Sequence, residues 1–401
     1  MAGLLRLWHD KHHPPPDPAG VSFEGKTVLV TGGTAGLGFE ASLKILRQGV
    51  SVLVIGCRNP ERGRQAKQIL ERRTGRTGVV QLWPLDMSSF RSVQEFASRV
   101  NRELPALHIA LLNAGVMHRD YVMSYDGWED TLQVNTLSTA LLGLLLLPKL
   151  RETSSPRYQA HLTIVSSGSA TRVVEKDFPL SGGLLKYLTQ HTGPRPRKRY
   201  PISKLLIEYV ARNIAGKTRN PDGTLQLIVN TVKPGFCVSS LGRQYNRWYE
   251  RWAASLFSRI FARSAEAGSR VLVSATVQGA ESHGKTWQGE GYMSESGTLL
   301  DTKGSQLQER TWSEVVDILK EVSPELAGMS SSGHNQPGAW KKRCAEPFAH
   351  QTDSQNPTAE RHAQQQPAIP NSATRELGGS GAVQPQATSQ SWGGRAAASL
   401  F

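Results

Sequence analysis

The chain has 401 residues, enough for one large domain with additional segments, and its 38% hydrophobic content is sufficient for a core. The formal net charge of +14 suits acidic or phosphorylated partners, but the Lys and Arg residues are scattered, and no basic block is interleaved with aromatics as a nucleic-acid groove requires. Three cysteines, Cys57, Cys237 and Cys344, are odd in number and far apart, which argues against a disulfide framework and a zinc site and for a reducing compartment, the cytoplasm.

Residues 1–22 read as an N-terminal extension. Its short apolar patch, Leu4-Leu5-Arg6-Leu7-Trp8, is interrupted by a charge and lacks the continuous apolar region of a signal peptide. Lys26 to Val30 is an apolar strand entering Thr31-Gly32-Gly33-Thr34-Ala35-Gly36-Leu37-Gly38, and Leu37, Ala41 and Ile45 then mark a helix face. Strand, glycine turn and helix in that order let backbone N–H groups approach a pyrophosphate, because glycine removes Cβ atoms that would collide with it. A second strand, Ser51 to Ile55, ends at Gly56-Cys57-Arg58-Asn59, where an NAD-selective site offers a carboxylate to the ribose. Here Arg58, with Arg62 nearby, offers a guanidinium to a 2′-phosphate and points to NADP, against the alternative of a solvated basic helix start.

Further strands are predicted over Val79 to Leu85, closed by Asp86, and Leu107 to Leu112, closed by Asn113-Ala114-Gly115. Both closing motifs fall at carboxyl ends of strands, where parallel sheets bind ligands. A helix from about Trp128 to Leu147 carries Asn135; its apolar run is about half the roughly 20 residues needed to span a bilayer and reads as buried. The strand His161 to Val165 delivers Ser166-Ser167-Gly168-Ser169, and an insert rich in Gly, Pro and charge then reads as a surface excursion ending in the basic run Arg195 to Arg199.

Tyr200-Pro201-Ile202-Ser203-Lys204 opens the next helix, with Pro201 in its first turn. Tyr200 and Lys204 share a face about 5–6 Å apart at Cβ, close enough for the lysine charge to lower a phenol pKa that starts near 10. The strand Leu225 to Val232 leads to Lys233-Pro234-Gly235-Phe236-Cys237-Val238-Ser239, and an amphipathic, aromatic-rich helix is predicted from Trp248 to Phe261. A helix from about Ser264 to Val277, a short strand at Gly291-Tyr292-Met293 and a helix from Gln308 to Val322 complete the periodic part. Residues 329–401, dominated by Ser, Gln, Gly, Pro, His and Ala, read as a disordered tail.

The expected fold class is α/β, a Rossmann-type doubly wound parallel sheet in a single domain over residues 23–328. The chain resembles the short-chain dehydrogenase/reductase family through Thr31-Gly32-x-x-x-Gly36-x-Gly38, Asp86, Asn113-Ala114-Gly115, Asn135, Ser167, Tyr200-x-x-x-Lys204 and Pro234-Gly235. The Gly56 to Asn59 run and the long insert are similar to the retinol-dehydrogenase and protochlorophyllide-reductase-like branch, and the whole is similar to reductases of fungal secondary metabolism. The departures are the length of the insert, Ser239 where the family often has Thr, and the tail.

The resemblance implies hydride transfer between a nicotinamide and a carbonyl or carbinol carbon. Ser167 would hydrogen-bond the substrate oxygen, Tyr200 would exchange its proton, Lys204 would depress the tyrosine and bind ribose, and Asn135 would position a water relay. Thr31, Gly32, Gly36, Leu37, Gly38, Arg58, Asp86, Asn113, Tyr200, Lys204, Val238 and Ser239 are the cofactor-binding candidates, and no metal is expected. Ser166 competes for the serine role, and adjacent strand residues point to opposite faces. The expectation is an NADP-dependent enzyme with a small-molecule carbonyl or alcohol substrate, no nucleic acid and no transmembrane segment. The resemblance also implies a homodimer or homotetramer through the helices carrying Asn135 and Tyr200. The alternatives are a silent NADP-sensing scaffold and a membrane-surface retinol or lipid dehydrogenase.

Overall fold

The computed structural model describes residues 2–18, 20–179, 182–238, 241, 257–295 and 298–328, all within one compact unit, Met1–Gly338. Its strands are Thr27–Thr31 (β1), Val52–Cys57 (β2), Val80–Pro84 (β3), Ile109–Leu112 (β4), His161–Val165 (β5), Ile228–Lys233 (β6), Thr286–Gln288 (β7) and Gly291–Tyr292 (β8). They form one sheet in the order β3-β2-β1-β4-β5-β6-β7-β8, parallel except for the final antiparallel pair. β1, β4, β5 and β6 are buried residue for residue, as strands covered on both faces must be. The direction of winding reverses between β1 and β4, which opens a crevice at their carboxyl ends.

The helices are Ala2–His12 (α1), Gly36–Arg47 (α2), Pro60–Thr74 (α3), Phe90–Glu103 (α4), Asp130–Thr153 (α5), Leu184–Thr189 (α6), Pro196–Lys217 (α7), Ala265–Ala275 (α8) and Ser305–Val322 (α9). Local chemistry sets several of their ends. Asn59, Ser89 and Ser264 accept backbone N–H bonds at the starts of α3, α4 and α8, and Gly75 in the left-handed conformation ends α3. Apolar residues of α4, α5, α7 and α9 fill one face of the sheet, and those of α2 and α8 fill the other. α5 is long and apolar enough to cross a bilayer by composition, yet it is buried inside the protein.

Three sequence expectations need correction. The helix carrying Tyr200 starts at Pro196, and Pro201 lies inside it. The added turn is pinned by Arg199, which is buried and donates to the carbonyls of Leu188 (2.8 Å) and Gln190 (2.9 Å), while Lys198 pairs with Asp177 at 2.9 Å. The basic run is thus partly a packing device. The insert is also more than a surface excursion: Leu184, Leu185 and Leu188 enter the core, and Glu314 of α9 caps α6 by accepting from Leu184 N and Leu185 N.

The third correction is β7, a three-residue strand too short to carry a period. α5 is buried almost throughout, and α7 is buried from Ile202 to Ala211, with Trp312, Val315, Val316 and Leu319 of α9 packed in the same core. Of the predicted aromatic helix, residues 248–256 lie outside the described residues and 257–261 are helical; Ser239 and the tail from residue 329 also lie outside. The N-terminal extension is docked: Arg263 donates to the Asp10 carbonyl (2.5 Å), Arg270 to that of Pro15 (3.0 Å), and Lys44 pairs with Asp17 (3.4 Å).

Candidate active site

The glycine turn is built by close approach. Gly32 (φ 66°) and Gly36 (φ 56°) take left-handed conformations, and a Cβ on Gly38 would lie 2.4 Å from Asn113 Nδ2 and 2.5 Å from the Gly32 carbonyl oxygen. Around Gly36 nothing comes within 4 Å of an added Cβ, so the mouth of the turn stays open where α2 begins. A pyrophosphate fits this arrangement, with the N–H groups of the first turn of α2 as donors. Thr31 and Asn113 hold the turn. Thr31 Oγ1 accepts from Asn113 N (3.0 Å) and Ala114 N (2.9 Å), and Asn113 Nδ2 donates to the Thr31 carbonyl at 3.0 Å. These two residues therefore shape the cradle from below. Leu37 packs into the core beneath it, close against Gly268 of α8.

At the next two strand ends, the exposed Arg58 guanidinium stands 3.9 Å from Asp86 Oδ1, which accepts from Ser88 N. Asp130, paired with His118 at 2.6 Å, belongs to the same neighbourhood and escaped the sequence analysis. Burial pushes its carboxyl up, but hydrogen bonds from His118 and Ser88 and the charges of His118 and Arg58 outweigh this and hold it below its ordinary value. A histidine five residues past Asn113 and an aspartate opening α5 carry no signal of contact along the sequence.

The four residues named for chemistry lie together at the carboxyl edge. The Ser167 hydroxyl lies close enough to the Tyr200 phenol to favour its ionised form, and it accepts from Ser169 N (3.2 Å) and Ser169 Oγ (3.0 Å) as the cap of a short 3-10 turn, Gly168–Arg172. Ser166, by contrast, is buried and donates to Glu208 and to the Lys204 carbonyl (3.2 Å) of α7. Lys204 Nζ lies 5.9 Å from the centre of the Tyr200 ring and donates to the Val165 carbonyl at 2.9 Å.

Asn135 lies in a π turn, Gln133–Leu137, within α5. Its amide accepts from Val116 N (2.9 Å) and donates to the Val116 carbonyl (2.8 Å) and Ser203 Oγ (3.0 Å). A Cβ on Gly115 would lie 3.1 Å from Asn135 Oδ1 and 3.5 Å from Lys204 Nζ, which places both groups against the same backbone. Such bulges in helices often sit at functional sites.

The protonation balance differs from expectation. Desolvation pushes the Tyr200 phenol up, and the Ser167 hydrogen bond only partly opposes this. Burial lowers Lys204 to about 8, with the Glu208 charge resisting. The sequence shows the lysine beside the tyrosine but not how far the fold withdraws both from water, and desolvation decides the direction. Val238 is exposed beside this edge, its N–H bonded to the Arg263 carbonyl at 2.9 Å.

A family model for the short chain dehydrogenases matches residues 26–175. The short-chain dehydrogenase/reductase phmF of Phaeosphaeria nodorum is 40% identical over 80% of this chain and 94% of its own length. The short-chain dehydrogenase/reductase ffsI of Aspergillus flavipes is 38% identical over 82% and 96%. Among solved structures, an uncharacterized protein from Mycobacterium paratuberculosis superposes with a TM-score of 0.56 at 20% identity, covering 76% of this chain and 98% of its own. The Pseudomonas aeruginosa RhlG/NADP complex gives 0.50 at 23%, covering 67% and 95%. With its parallel sheet, glycine turn and Ser167, Tyr200 and Lys204 at one edge, this chain belongs to the short-chain dehydrogenase/reductase family of nicotinamide-dependent oxidoreductases.

Proposed function

We propose that the protein is an NADP-dependent reductase that interconverts a ketone or aldehyde with an alcohol, acting on a moderately large apolar metabolite in fungal secondary metabolism. The observation that carries this reading is Ser167 beside the Tyr200 phenol with the Lys204 ammonium behind it, next to the glycine turn. The catalytic unit is assigned to residues 23–328, and residues 329–401 are taken as a tail dispensable for folding. Its fungal relatives support the metabolic setting. The free thiols Cys57 and Cys237 suit the cytoplasm.

The bound dinucleotide supplies the hydride. Ser167 and Tyr200 present two hydroxyls to one point, so a carbonyl oxygen placed there is held in position and its growing negative charge is stabilised. Tyr200 then delivers its proton to that oxygen. A phenol held above its ordinary value keeps this proton through neutral pH, which suits reduction. Lys204, charged below about 8, stands behind the tyrosine to stabilise the phenolate that remains and to bind ribose hydroxyls. Asn135 holds the backbone at Val116, beside the route by which a water could reprotonate Lys204. Arg58 would meet the 2′-phosphate, and Asp86, Val238 and Ser239 would line the remaining cofactor path.

The test is an NADPH-oxidation screen over aromatic ketones, quinones, polyketide-like and terpenoid carbonyls, with NADH in parallel. Turnover with NADPH on at least one class is expected, and failure on all of them favours a silent cofactor-sensing protein. One observation favours a membrane-surface variant of the same chemistry: Leu4, Leu5 and Trp8 are exposed on α1. Flotation with liposomes separates the two settings.

A further inference from the structure

One turn beyond Lys204, Glu208 interrupts the apolar run of α7 and is fully buried, as is Lys233 at the end of β6. The Lys233 ammonium lies 2.9 Å from Glu208 Oε1 and 3.0 Å from the Met293 sulfur. Ser166 donates to the same carboxylate oxygen, and Thr286 of β7 stands 3.5 Å from Oε2. One carboxylate thus ties the ends of β5, β6 and β7 to the helix that carries Tyr200 and Lys204.

Stability does not account for such a pair. Taking two ions out of water costs several kcal/mol each, and apolar residues of similar volume commonly serve as well or better. What the pair does have is location. Ser166 immediately precedes Ser167, Lys204 is one turn from Glu208, and Lys233 opens the Pro234 to Val238 segment.

We propose that the Glu208–Lys233 pair is the positioning unit of this site, fixing Ser167, Lys204 and the Pro234 to Val238 segment in one geometry and supplying the negative charge that the Lys204 ammonium faces. The inference rests on the dehydrogenase reading above. Among the described residues, the charged or titratable groups around that ammonium are Glu208 and Tyr200 on its own helix, with Lys233 of β6 behind Glu208. Asn135, Gly115 and the Val165 carbonyl face it as neutral groups.

The experiment is kcat against pH on the full chain, using the carbonyl that the NADPH screen identifies, beside NADPH affinity by fluorescence. Glu208→Gln keeps the shape and the acceptor for Ser166 while removing the charge. Its alkaline limb should move toward acid by about one pH unit, the effect of one charge a helical turn away in a partly screened site. Lys233→Met should move the limb the opposite way, and the double substitution should return it close to its original place. Lower kcat or Tm in both single variants with the limb unmoved means a structural prop only, and overturns the proposal.

Glu208→Gln leaves Lys233 uncompensated and can fail to fold, so Glu208→Asp is the second arm. The charge stays, but the carboxylate withdraws by one methylene from Ser166 and Lys233. A several-fold loss of kcat is expected, with KM and NADPH affinity held. Unaltered kcat in folded Glu208→Asp overturns the positioning role. Tyr200→Phe run alongside separates the two levels: if it keeps its turnover, the dehydrogenase reading has failed, whereas if it is silent and the Glu208 variants behave as wild type, only the present inference has.

Discussion

The Lys204 ammonium donates to the carbonyl oxygen of Val165 at 2.9 Å, joining α7 to the last residue of β5. A charge held there has lost its water, and its pKa falls from 10.5 to about 8. Between those values the unfolded chain binds a proton at this position that the folded chain does not, so this group makes stability rise with pH across that window. Below about 8 its burial is a standing cost. Lys204→Met should therefore raise the stability at pH 7, on the order of 2 kcal/mol and a rise of several degrees in Tm, even as it abolishes turnover. The gap should close as the pH approaches 10. A lower Tm for the variant at pH 7 would show that the Val165 bond outweighs the lost hydration.

Tyr200→Phe removes one hydroxyl and keeps the ring. NADPH affinity should persist, and turnover should fall by about 10²–10⁴-fold, the contribution of a positioned acid or base. Ser167→Ala should spare binding and cut the rate, whereas Ser166→Ala should be much milder, because the Ser166 hydroxyl is engaged by Glu208 and the Lys204 carbonyl. Equal losses in the two serine variants, read by steady-state kinetics, would contradict this assignment.

Arg58 is exposed, with Asp86 as its close ionic neighbour at 3.9 Å, and is free to turn toward a phosphate. The unmutated protein should bind NADPH more tightly than NADH by fluorescence titration. Arg58→Asp should reverse or erase the preference, since a carboxylate repels the 2′-phosphate and accepts from a ribose hydroxyl. Equal affinities in the unmutated protein would remove Arg58 from the site.

Gly38 and Gly36 should respond differently to alanine. At Gly38 the new Cβ collides with Asn113 and Gly32, which should cost about 1–3 kcal/mol and displace the amide that holds the turn. At Gly36 the space is open and only the left-handed backbone objects, for about 1–2 kcal/mol. NADPH affinity relative to Tm distinguishes the two: Gly38→Ala should lose both, and unchanged binding there would mean that the cradle relaxes.

Light scattering should report the mass of a single chain, because α9 packs over α7, one of the helices through which pairing was expected. Trp312→Ala, which empties part of that cover, should lower stability by about 3–5 kcal/mol and promote association. A stable dimer of the unmutated protein would have to use another surface, which crosslinking would map.

Much of this was legible because it is local. The apolar run into Thr31 and the glycines after it predict strand, turn and helix by spacing alone. The sequence could not show that Arg199, Glu208 and Lys233 are buried, because the groups that satisfy them come from distant segments or from carbonyls with no residue signature. Asn135 was found, but its π turn was not, since residues of ordinary type form it. The Tyr200 pKa was misread for the same reason. A neighbouring charge is visible in sequence, whereas the loss of water is a property of the whole fold.

Asp10 and Arg263 meet across 253 residues of sequence. At the about 5–20 residues per second of synthesis, roughly 10–50 s separate their appearance at the ribosome. Throughout that interval Lys44 is available to Asp17, but Arg259, Arg263 and Arg270, which hold residues 10–15, have not been made, and Leu4, Leu5 and Trp8 are offered to whatever holds nascent chains. Arg263 also stands beside Gly235, so the segment after β6 is locked against its neighbour only when this clasp shuts. What is translated early is thus fastened late, and the clasp sets the moment at which the nascent protein acquires a finished rim.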